Sequence, residues 1–314
     1  MLSIAFVDNL LPARQIPEIF NRIGELRKDL RLFGEIRAST PLNALEAMRA
    51  AGVREVQIGI EALSSRLLAK LNKGTSVIQN LEIMKHCEAL GIENRGNLIC
   101  GFPGSDDADV AETLAALPFA MPFRPLKPVQ FWLGVDSPVW REPERYGIRG
   151  VANHPDYHAL FPLQVVQQVT FPLQSCRGGK REQRRRWQPV EAAVRRWAEA
   201  YETLHRAPHS APILSFRDGG EFLIIRQRRL DADPLTHRLE KHARQIYLFC
   251  QTTRPLTAIM ERFPQLAAEK VAAFLREMVT KRLMFIEHDR CLSLAIPAEE
   301  RCRMAPGSPV AGSV

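Results

Sequence analysis

The chain has 314 residues, of which 46% are apolar and 25% charged, and its 43 lysines and arginines outnumber its 35 aspartates and glutamates. This composition excludes general disorder, and no apolar run approaches the roughly 18 residues needed to cross a bilayer. Charges balance at 18 against 18 up to Gly150, so the whole basic excess lies beyond Arg177. A protein that coats polyanions with its entire surface is therefore excluded, whereas a local anionic partner is compatible.

The N-terminal sequence and the cysteine spacing predict the compartment and the metal content of the protein. The N-terminus lacks the basic start and small-residue cleavage site of a signal peptide, which predicts a cytoplasmic protein. Its six cysteines lie at intervals of at least 11 residues, and no interval fits the spacing of zinc or iron–sulfur ligands. The sequence alone thus predicts no metal site.

The first 135 residues alternate short β-rich runs with helical patterns. The β-rich runs are Ile4–Val7, Gly34–Arg37, Val56–Ile60, Asn97–Cys100 and Val129–Val135. Their starts are 22 to 41 residues apart, which leaves room for the helical crossover that parallel strands require. Helix signals fall between them: Ser76 and Gln79 form a capping-box pattern, and Gly91 follows the last apolar residue of that helix. Residues 1–150 are therefore predicted to be an α/β domain with parallel strands.

Residues 151–232 break this rhythm and are predicted to form a basic bridge. The arginine-rich stretch from Cys176 to Arg186 is expected to be a loop or linker, followed by a helix from about Pro189 to His205. Asp218-Gly219-Gly220 lies between two β-rich runs and predicts a hairpin turn.

Residues 233–297 show the element order of a winged helix. Helices are predicted around Leu239–Gln251, Leu256–Phe263 and Ala267–Lys281, and strands at Leu283–Glu287 and Cys291–Ala295. Residues 298–314 are rich in proline, glycine and serine and are expected to be disordered.

Candidate ligand-binding groups occur where the predicted parallel strands end. Ligands of α/β sheets gather at the carboxyl ends of the strands. The residues at these ends are Asp8, Asn9, Glu35, Arg37, Gly59, Glu61, Asn97 and Gly101. Each also has a structural explanation, because Asp8 and Asn9 are helix-capping types, Glu35 and Arg37 can pair, and glycines make turns.

Three segments taken together resemble one known family. Gln57–Leu63, with its Gly-Ile-Glu, is followed by Leu67–Gly74 and then by Asn97–Gly104, with its Gly-Phe-Pro-Gly. In order and spacing these resemble the later strands of the radical S-adenosylmethionine barrel. The similarity extends to the Arg141–Gly147 segment and is greatest to cobalamin-associated members that mature ribosomally synthesised peptides, often as C-methyltransferases. The resemblance implies a partial (β/α) barrel of about five parallel strands, followed by the bridge and the winged helix.

The resemblance also implies cofactors and residue roles. In the family, a CxxxCxxC loop holds a 4Fe-4S cluster, S-adenosylmethionine binds the cluster, and a 5′-deoxyadenosyl radical removes a substrate hydrogen. By position, Asp8 and Asn9 would lie near the amino-acid end of S-adenosylmethionine, Glu61 near the ribose, and Asn97 and Gly101 beside the adenine. Glu35, Arg37 and Gly59 would complete the strand ends, and no catalytic residue is assigned.

The sequence departs from the family in one essential respect. The CxxxCxxC loop, the strand before it and a cobalamin-binding domain are all missing. The resemblance therefore predicts a chain that cannot bind the cluster alone and that derives from a truncated gene, a misassigned start or a decayed copy. Cys87 and Cys100 are expected to be buried thiols.

The expected function is that of the C-terminal part of a radical enzyme that modifies a ribosomal peptide by C-methylation. The partner would be a precursor leader peptide bound at the winged helix, and no membrane is involved. The winged helix is equally compatible with a packing module that binds no ligand. The alternative is a non-enzymatic protein that binds peptide or DNA through the winged helix and the basic bridge. The arginines from Arg177 to Arg186 fit a nucleic acid, an acidic peptide or a simply solvated surface.

Overall fold

The computed structural model describes residues 2–6, 11–12, 14–206 and 211–298. The candidate residues Asp8 and Asn9 lie outside the described residues, as does nearly all of the predicted tail. No helix in the described part of the chain is long and apolar enough to cross a membrane.

The N-terminal part alternates strands and helices, as the sequence pattern predicts. Its elements are β1 (Leu2–Ala5), α1 (Ile16–Glu25), β2 (Leu30–Ile36), α2 (Leu42–Ala50), β3 (Val53–Ile58), α3 (Ser65–Lys70), α4 (Val77–Leu90), β4 (Glu93–Asn94), β5 (Asn97–Cys100), α5 (Asp107–Ala120) and β6 (Lys127–Gln130). The predicted capping box of α4 is present, and Gly91 ends the helix in the left-handed conformation. Each of the five predicted strand runs overlaps a strand, and the short β4 is additional.

All pairings among these strands are parallel. The order β1-β2-β3-β4 forms one sheet, and β5 pairs with β6. A parallel bridge between Glu61 and Leu98 connects the end of β3 to β5. This arrangement confirms the prediction of an α/β fold with a parallel sheet, and it directs the carboxyl ends of β2, β3, β5 and β6 the same way.

The segment after β6 is more regular than expected. It contains β7 (Leu133–Gly134), α6 (Pro138–Arg141), a 3-10 helix (Pro143–Tyr146), β8 (Gly150–Asn153), α7 (Tyr157–Leu160), α8 (Leu163–Gln168) and β9 (Leu173–Arg177). The strands form an antiparallel sheet in the order β7-β9-β8. This small sheet therefore follows β6 directly in the chain.

The prediction of a loop from Cys176 to Arg186 was wrong. Cys176 and Arg177 end β9, and a 26-residue helix, α9 (Lys180–His205), begins only three residues later and includes the rest of the arginine run. Trp187, Val190 and Trp197 are buried on one side of α9, which packs against α5 and β5. The buried side chains recur at helical spacing. Their burial stabilises α9, including the part that contains the arginine run.

The C-terminal part combines strands and helices. Its elements are β10 (Leu214–Asp218), β11 (Phe222–Arg229), β12 (Ala232–Glu240), α10 (Lys241–Phe249), β13 (Arg254–Pro255), α11 (Leu256–Arg262), α12 (Ala268–Thr280), β14 (Met284–Glu287), β15 (Arg290–Ser293) and β16 (Ile296–Pro297). The predicted β10–β11 hairpin is present and is widened by β12 and β16 into the order β12-β11-β10-β16. A second sheet has the order β13-β15-β14. The three predicted helices and two predicted strands of this region all overlap observed elements.

Helix α4 connects the two parts of the molecule. Twelve of its 14 residues are buried, including Lys85 and Glu88, because α4 contacts α2 and α5 as well as β14, β15 and β16. Lys85 donates hydrogen bonds to the backbone carbonyls of Gln251 and Ser293. The parallel sheet and the C-terminal part therefore share one continuous hydrophobic core.

Candidate functional site

Of the predicted strand-end residues, Glu35 lies on the more accessible face of the parallel sheet. Along β2 and β3, Leu32, Ile36 and Ile58 are buried, whereas the alternating Glu35 and Gln57 are only partly covered. Glu35 and Gln57 are register partners, so their side chains leave the same face of the sheet. The sheet thus has one apolar face and one polar, accessible face.

Glu61 is the most distinctive residue of this accessible face. Its φ is +62°, a left-handed conformation that is uncommon for a glutamate. Its N–H donates to the carbonyl of Asn97 at 3.0 Å, and its own carbonyl accepts from Ile99 at 2.8 Å. Lys73 Nζ donates to Glu61 Oε1 at 3.1 Å. Strained backbone of this kind is concentrated at functional sites, so Glu61 is the leading candidate for ligand contact.

Gly59 leaves open space beside this carboxylate. A Cβ atom placed on Gly59 would lie 3.9 Å from both Glu61 Oε1 and Lys73 Nζ. A larger side chain would therefore occupy the space in front of the ion pair, whereas glycine lets a ligand approach the backbone closely. Gly59, Glu61 and Asn97 form one contiguous cluster.

Glu35 and Arg37 lie next to this cluster, on β2 and directly after it. Glu35 pairs in register with Gln57, two residues before Gly59 on the adjacent strand. Within the described residues no ion pair joins Glu35 to Arg37, so the structural explanation of the two as partners is not supported. Both remain available to a ligand bound across β2 and β3.

Gly101 belongs to a different part of the site. Its φ is +74°, a conformation that favours glycine, and a Cβ atom there would make a tight contact of 3.3 Å with Gln130 Oε1. Gly101 lines a cleft of about 890 Å³ that is also lined by Gln130 at the end of β6, Trp132, Leu173 on β9 and the first turns of α9. The cleft thus opens at the carboxyl ends of β5 and β6.

The turn after Gly101 is held in place by α9. Ser105 Oγ donates to the carbonyl of Phe102 at 2.7 Å, and Trp187 Nε1 donates to Ser105 Oγ at 2.9 Å. Gln183 Nε2 donates to the carbonyl of Ser105 at 2.8 Å. Because Trp187 is fully buried, this turn has a fixed position relative to α9.

The cysteines do not form a cluster site. Cys87, Cys100, Cys176, Cys250 and Cys291 are buried and belong to separate elements. Burial raises the pKa of Cys100 and Cys250 to about 12, which disfavours the thiolate that binds iron. Across residues 2–6, 11–12, 14–206 and 211–298, no group of three histidines, cysteines, aspartates or glutamates could hold a metal ion. The described residues therefore do not fit a 4Fe-4S cluster, and no chemical step is derived through one.

Sequence reasoning missed two contributors to the site. Lys73 belongs to the Leu67–Gly74 segment, and no local sequence signal indicates that it contacts Glu61. The first two turns of α9 were assigned to a loop, so the proximity of Gln183 to the Gly101 turn was not predicted.

The fold and site define a parallel α/β domain with accessible polar groups at the carboxyl ends of its strands. Residues 7–117 match the Radical SAM superfamily. This matched segment contains the Gly59–Glu61 cluster and the Gly101 turn. No curated protein matches the chain.

Several solved structures are similar to parts of the chain. The cobalamin-dependent S-adenosylmethionine radical enzyme OxsB is 21% identical over 45% of this chain and 22% of its own, with a TM-score of 0.34. The radical S-adenosylmethionine methyltransferase TsrM from Kitasatospora setae, solved with cobalamin and a 4Fe-4S cluster, is 17% identical over 74% of this chain and 47% of its own, at 0.45. Coproporphyrinogen III oxidase (HemN) from Escherichia coli is 14% identical over 93% of this chain and 74% of its own, with a TM-score of 0.37. This chain spans less than half the length of OxsB and TsrM.

Proposed function

We propose that the accessible face of the parallel sheet binds the nucleoside part of S-adenosylmethionine, as part of an enzyme that C-methylates a ribosomally synthesised peptide. The observation that carries the proposal is the left-handed Glu61 beside Gly59, within the segment that matches the superfamily. OxsB and TsrM are described as cobalamin-dependent and as a methyltransferase respectively. Methylation as the outcome, cobalamin as a cofactor and a peptide as the substrate are parts of this proposal.

Each strand-end residue has a role in the proposed binding. Glu61 accepts hydrogen bonds from the ribose hydroxyls, for which Oε2 is available because Lys73 is bound to Oε1. Gly59 lets the sugar approach the backbone, and the Asn97–Gly101 strand contacts the adenine edge. Glu35 and Arg37 carry charges that suit the amino-acid end of the ligand.

Cluster chemistry lies outside what the described residues can perform. In this proposal the cluster ligands come from a polypeptide segment other than residues 1–314. The contribution of this chain is then to bind the nucleoside and to position the peptide.

The C-terminal part is proposed to be a winged-helix module. The order α10, β13, α11, α12, β14 and β15 is that of a winged helix. Side chains of β14 contact the parallel-sheet part, since Phe285 packs edge-to-face on Phe119 and Glu287 hydrogen-bonds the start of α4. A precursor leader peptide is the proposed partner, and it would add to an exposed sheet edge such as β12, most of whose residues are exposed.

The proposal is tested by titrating S-adenosylmethionine into the purified chain in a calorimeter. Glu61→Gln removes a charged hydrogen-bond acceptor, and we expect the Kd to rise about 10- to 100-fold. Gly59→Ala should weaken binding to a similar extent by filling the space before the carboxylate.

Gly150→Ala is the matched control, because a Cβ atom there meets nothing within 4 Å and the glycine lies outside the site. It should leave the Kd unchanged. Absence of saturable binding to the unmodified chain, or equal affinity in Glu61→Gln, would refute nucleoside binding at this face.

A further inference from the structure

One face of the first two turns of α9 is a row of cations that borders the cleft next to Gly101. Lys180, Arg181, Arg184 and Arg185 all line this cleft. Their spacing places them on one side of the helix, and Trp187 and Val190 are buried on another. All four cations are exposed to solvent and border the cleft.

These four exposed cations have no carboxylate partner among the residues that the structure describes. The neighbouring Arg186 pairs with Asp107 at 2.6 Å and with Glu182 at 2.8 Å, whereas none of the four forms an ion pair with any residue that the structure describes. The one carboxylate in the cleft lining is Asp156, which is 81% exposed and lies 3.3 Å from His154. Cations in the first turns of a helix are also disfavoured by its dipole. The cleft thus has an excess of positive charge that its own residues do not neutralise.

Apolar side chains also line the cleft. Trp132, directly after β6, is 73% exposed, although it is one of the largest apolar side chains of the molecule. Phe131, Leu133 and Leu173 line the same cleft. An occupant that matches this lining carries both negative charge and apolar groups.

The dimensions suit a short extended peptide. From Lys180 to Gln188, α9 advances about 12 Å at 1.5 Å per residue. This distance corresponds to roughly four residues of extended chain. Single-stranded nucleic acid fits less well, because sequential base stacking needs a series of exposed aromatic rings. Trp132 is the only strongly exposed aromatic residue among the described residues that line the cleft.

We propose that this cleft binds an acidic segment of a peptide substrate, with its carboxylates against the cations of α9 and an apolar residue against Trp132. The inference rests on the proposed function for its role, since a peptide held here lies beside Gly101 at the end of β5. Binding of the acidic peptide itself requires neither S-adenosylmethionine nor a cluster.

The test uses the full chain and a fluorescein-labelled peptide of about ten residues that alternates glutamate with leucine. Fluorescence anisotropy measures its Kd at low salt. In the triple variant Arg181→Gln, Arg184→Gln, Arg185→Gln we expect the Kd to rise at least about tenfold, because three carboxylate contacts are lost. Trp132→Ala should also weaken binding, through loss of the apolar contact.

A matched control removes the same charge from the same helix outside the cleft. Arg195, Arg196 and Arg206 are exposed and lie toward the other end of α9, and the triple variant with glutamine at these positions should change the Kd less than about twofold. Equal losses in both triple variants would show non-specific attraction by net charge and overturn the proposal. Tighter binding of a single-stranded oligonucleotide than of the peptide, with the same dependence on the cleft arginines, would also overturn it.

The peptide-binding experiment and the nucleoside titration can refute their two proposals separately. Loss of S-adenosylmethionine binding in Glu61→Gln with unchanged peptide affinity is expected if both proposals hold. If the unmodified chain binds the acidic peptide but not S-adenosylmethionine, the cleft is a peptide site and the nucleoside proposal alone is wrong.

Discussion

Lys85 is a buried lysine whose ionisation is strongly altered by its surroundings. It lies in the middle of α4 and donates to the carbonyls of Gln251 at 2.5 Å and Ser293 at 2.8 Å. Complete burial lowers its pKa to about 7, against the opposing attraction of Glu82. A neutral amine has two hydrogens, which match the two carbonyls. Near neutral pH, Lys85 can therefore change its charge inside the folded protein.

We predict that this residue makes stability depend on pH in the alkaline range. Between pH 7 and about 10 the unfolded chain keeps the proton on Lys85, whereas the folded chain releases it, so the free energy of unfolding rises with pH. Relative to Lys85→Met, which cannot titrate, the unmodified protein should gain up to about 1.4 kcal/mol per pH unit in this range. Urea unfolding at pH 7, 8 and 9 measures the difference.

Lys270→Met is the control for this prediction, because Lys270 is exposed on α12. Its free energy of unfolding should run parallel to that of the unmodified protein at all three pH values. A constant difference between the unmodified protein and Lys85→Met would mean that Lys85 keeps its ordinary pKa.

At the candidate site, sequence reasoning identified residues better than their interactions. The β-rich runs predicted that Glu35, Gly59, Glu61 and Asn97 lie at or near strand ends. The observed register brings the ends of β2, β3 and β5 close together. The Glu61–Lys73 pair did not follow, because it depends on how the chain turns after α3. That turn is set by Asn72 and Gly74 in left-handed conformations, which no periodicity encodes.

At the scale of elements, α9 differs most from its sequence pattern. Its first nine residues contain five lysines and arginines, and Pro189 follows inside the helix, so the segment resembles a polar loop. Arginine and lysine are nevertheless good helix formers, and the tertiary anchor at Trp187 extends the helix toward its N-terminus. Such an anchor involves residues about 80 positions apart, which a local pattern cannot reveal.

We predict that Trp187 holds the arginine run in helical form. Trp187→Phe removes the 2.9 Å hydrogen bond to Ser105 Oγ, which we expect to destabilise this end of α9 by about 1 kcal/mol. Trypsin should then cleave after Arg181, Arg184 and Arg185 several times faster than in the unmodified protein. Mass spectrometry of the early fragments identifies the cleavage sites.

Trp197→Phe provides the comparison within the same helix. Trp197 is equally buried and donates to the carbonyl of Phe123 at 3.1 Å, two turns or more beyond the arginine run. This variant should be less stable overall without selective cleavage at the arginines. Identical fragment patterns in the two variants would contradict a local anchoring role for Trp187.

At the scale of the whole molecule, the C-terminal part is attached to the parallel-sheet part through the start of α4. Glu287, on β14, accepts from the N–H of Ile78 at 2.8 Å and of Val77 at 3.3 Å, and also from Ser65 Oγ. The capping box of Ser76 and Gln79 satisfies other groups of the same turn, so Glu287 provides partners that the local sequence lacks. Its negative charge also suits the positive end of the helix dipole. The two parts are therefore expected to unfold together.

Glu287→Ala should uncouple the two parts. Three hydrogen bonds to a buried carboxylate are lost, which we expect to destabilise the contact by about 3 kcal/mol. All four tryptophans precede residue 200, so their fluorescence reports on the parallel sheet and α9, whereas far-UV circular dichroism also reports on α10, α11 and α12. In the unmodified protein the two signals should change at the same urea concentration, and in Glu287→Ala the dichroism should begin to fall first. Glu261→Ala, an exposed substitution on α11, is the control and should leave the fluorescence and dichroism transitions at the same urea concentration. Coincident transitions in Glu287→Ala would show that the apolar contacts around Phe119 and Phe285 suffice to couple the parts.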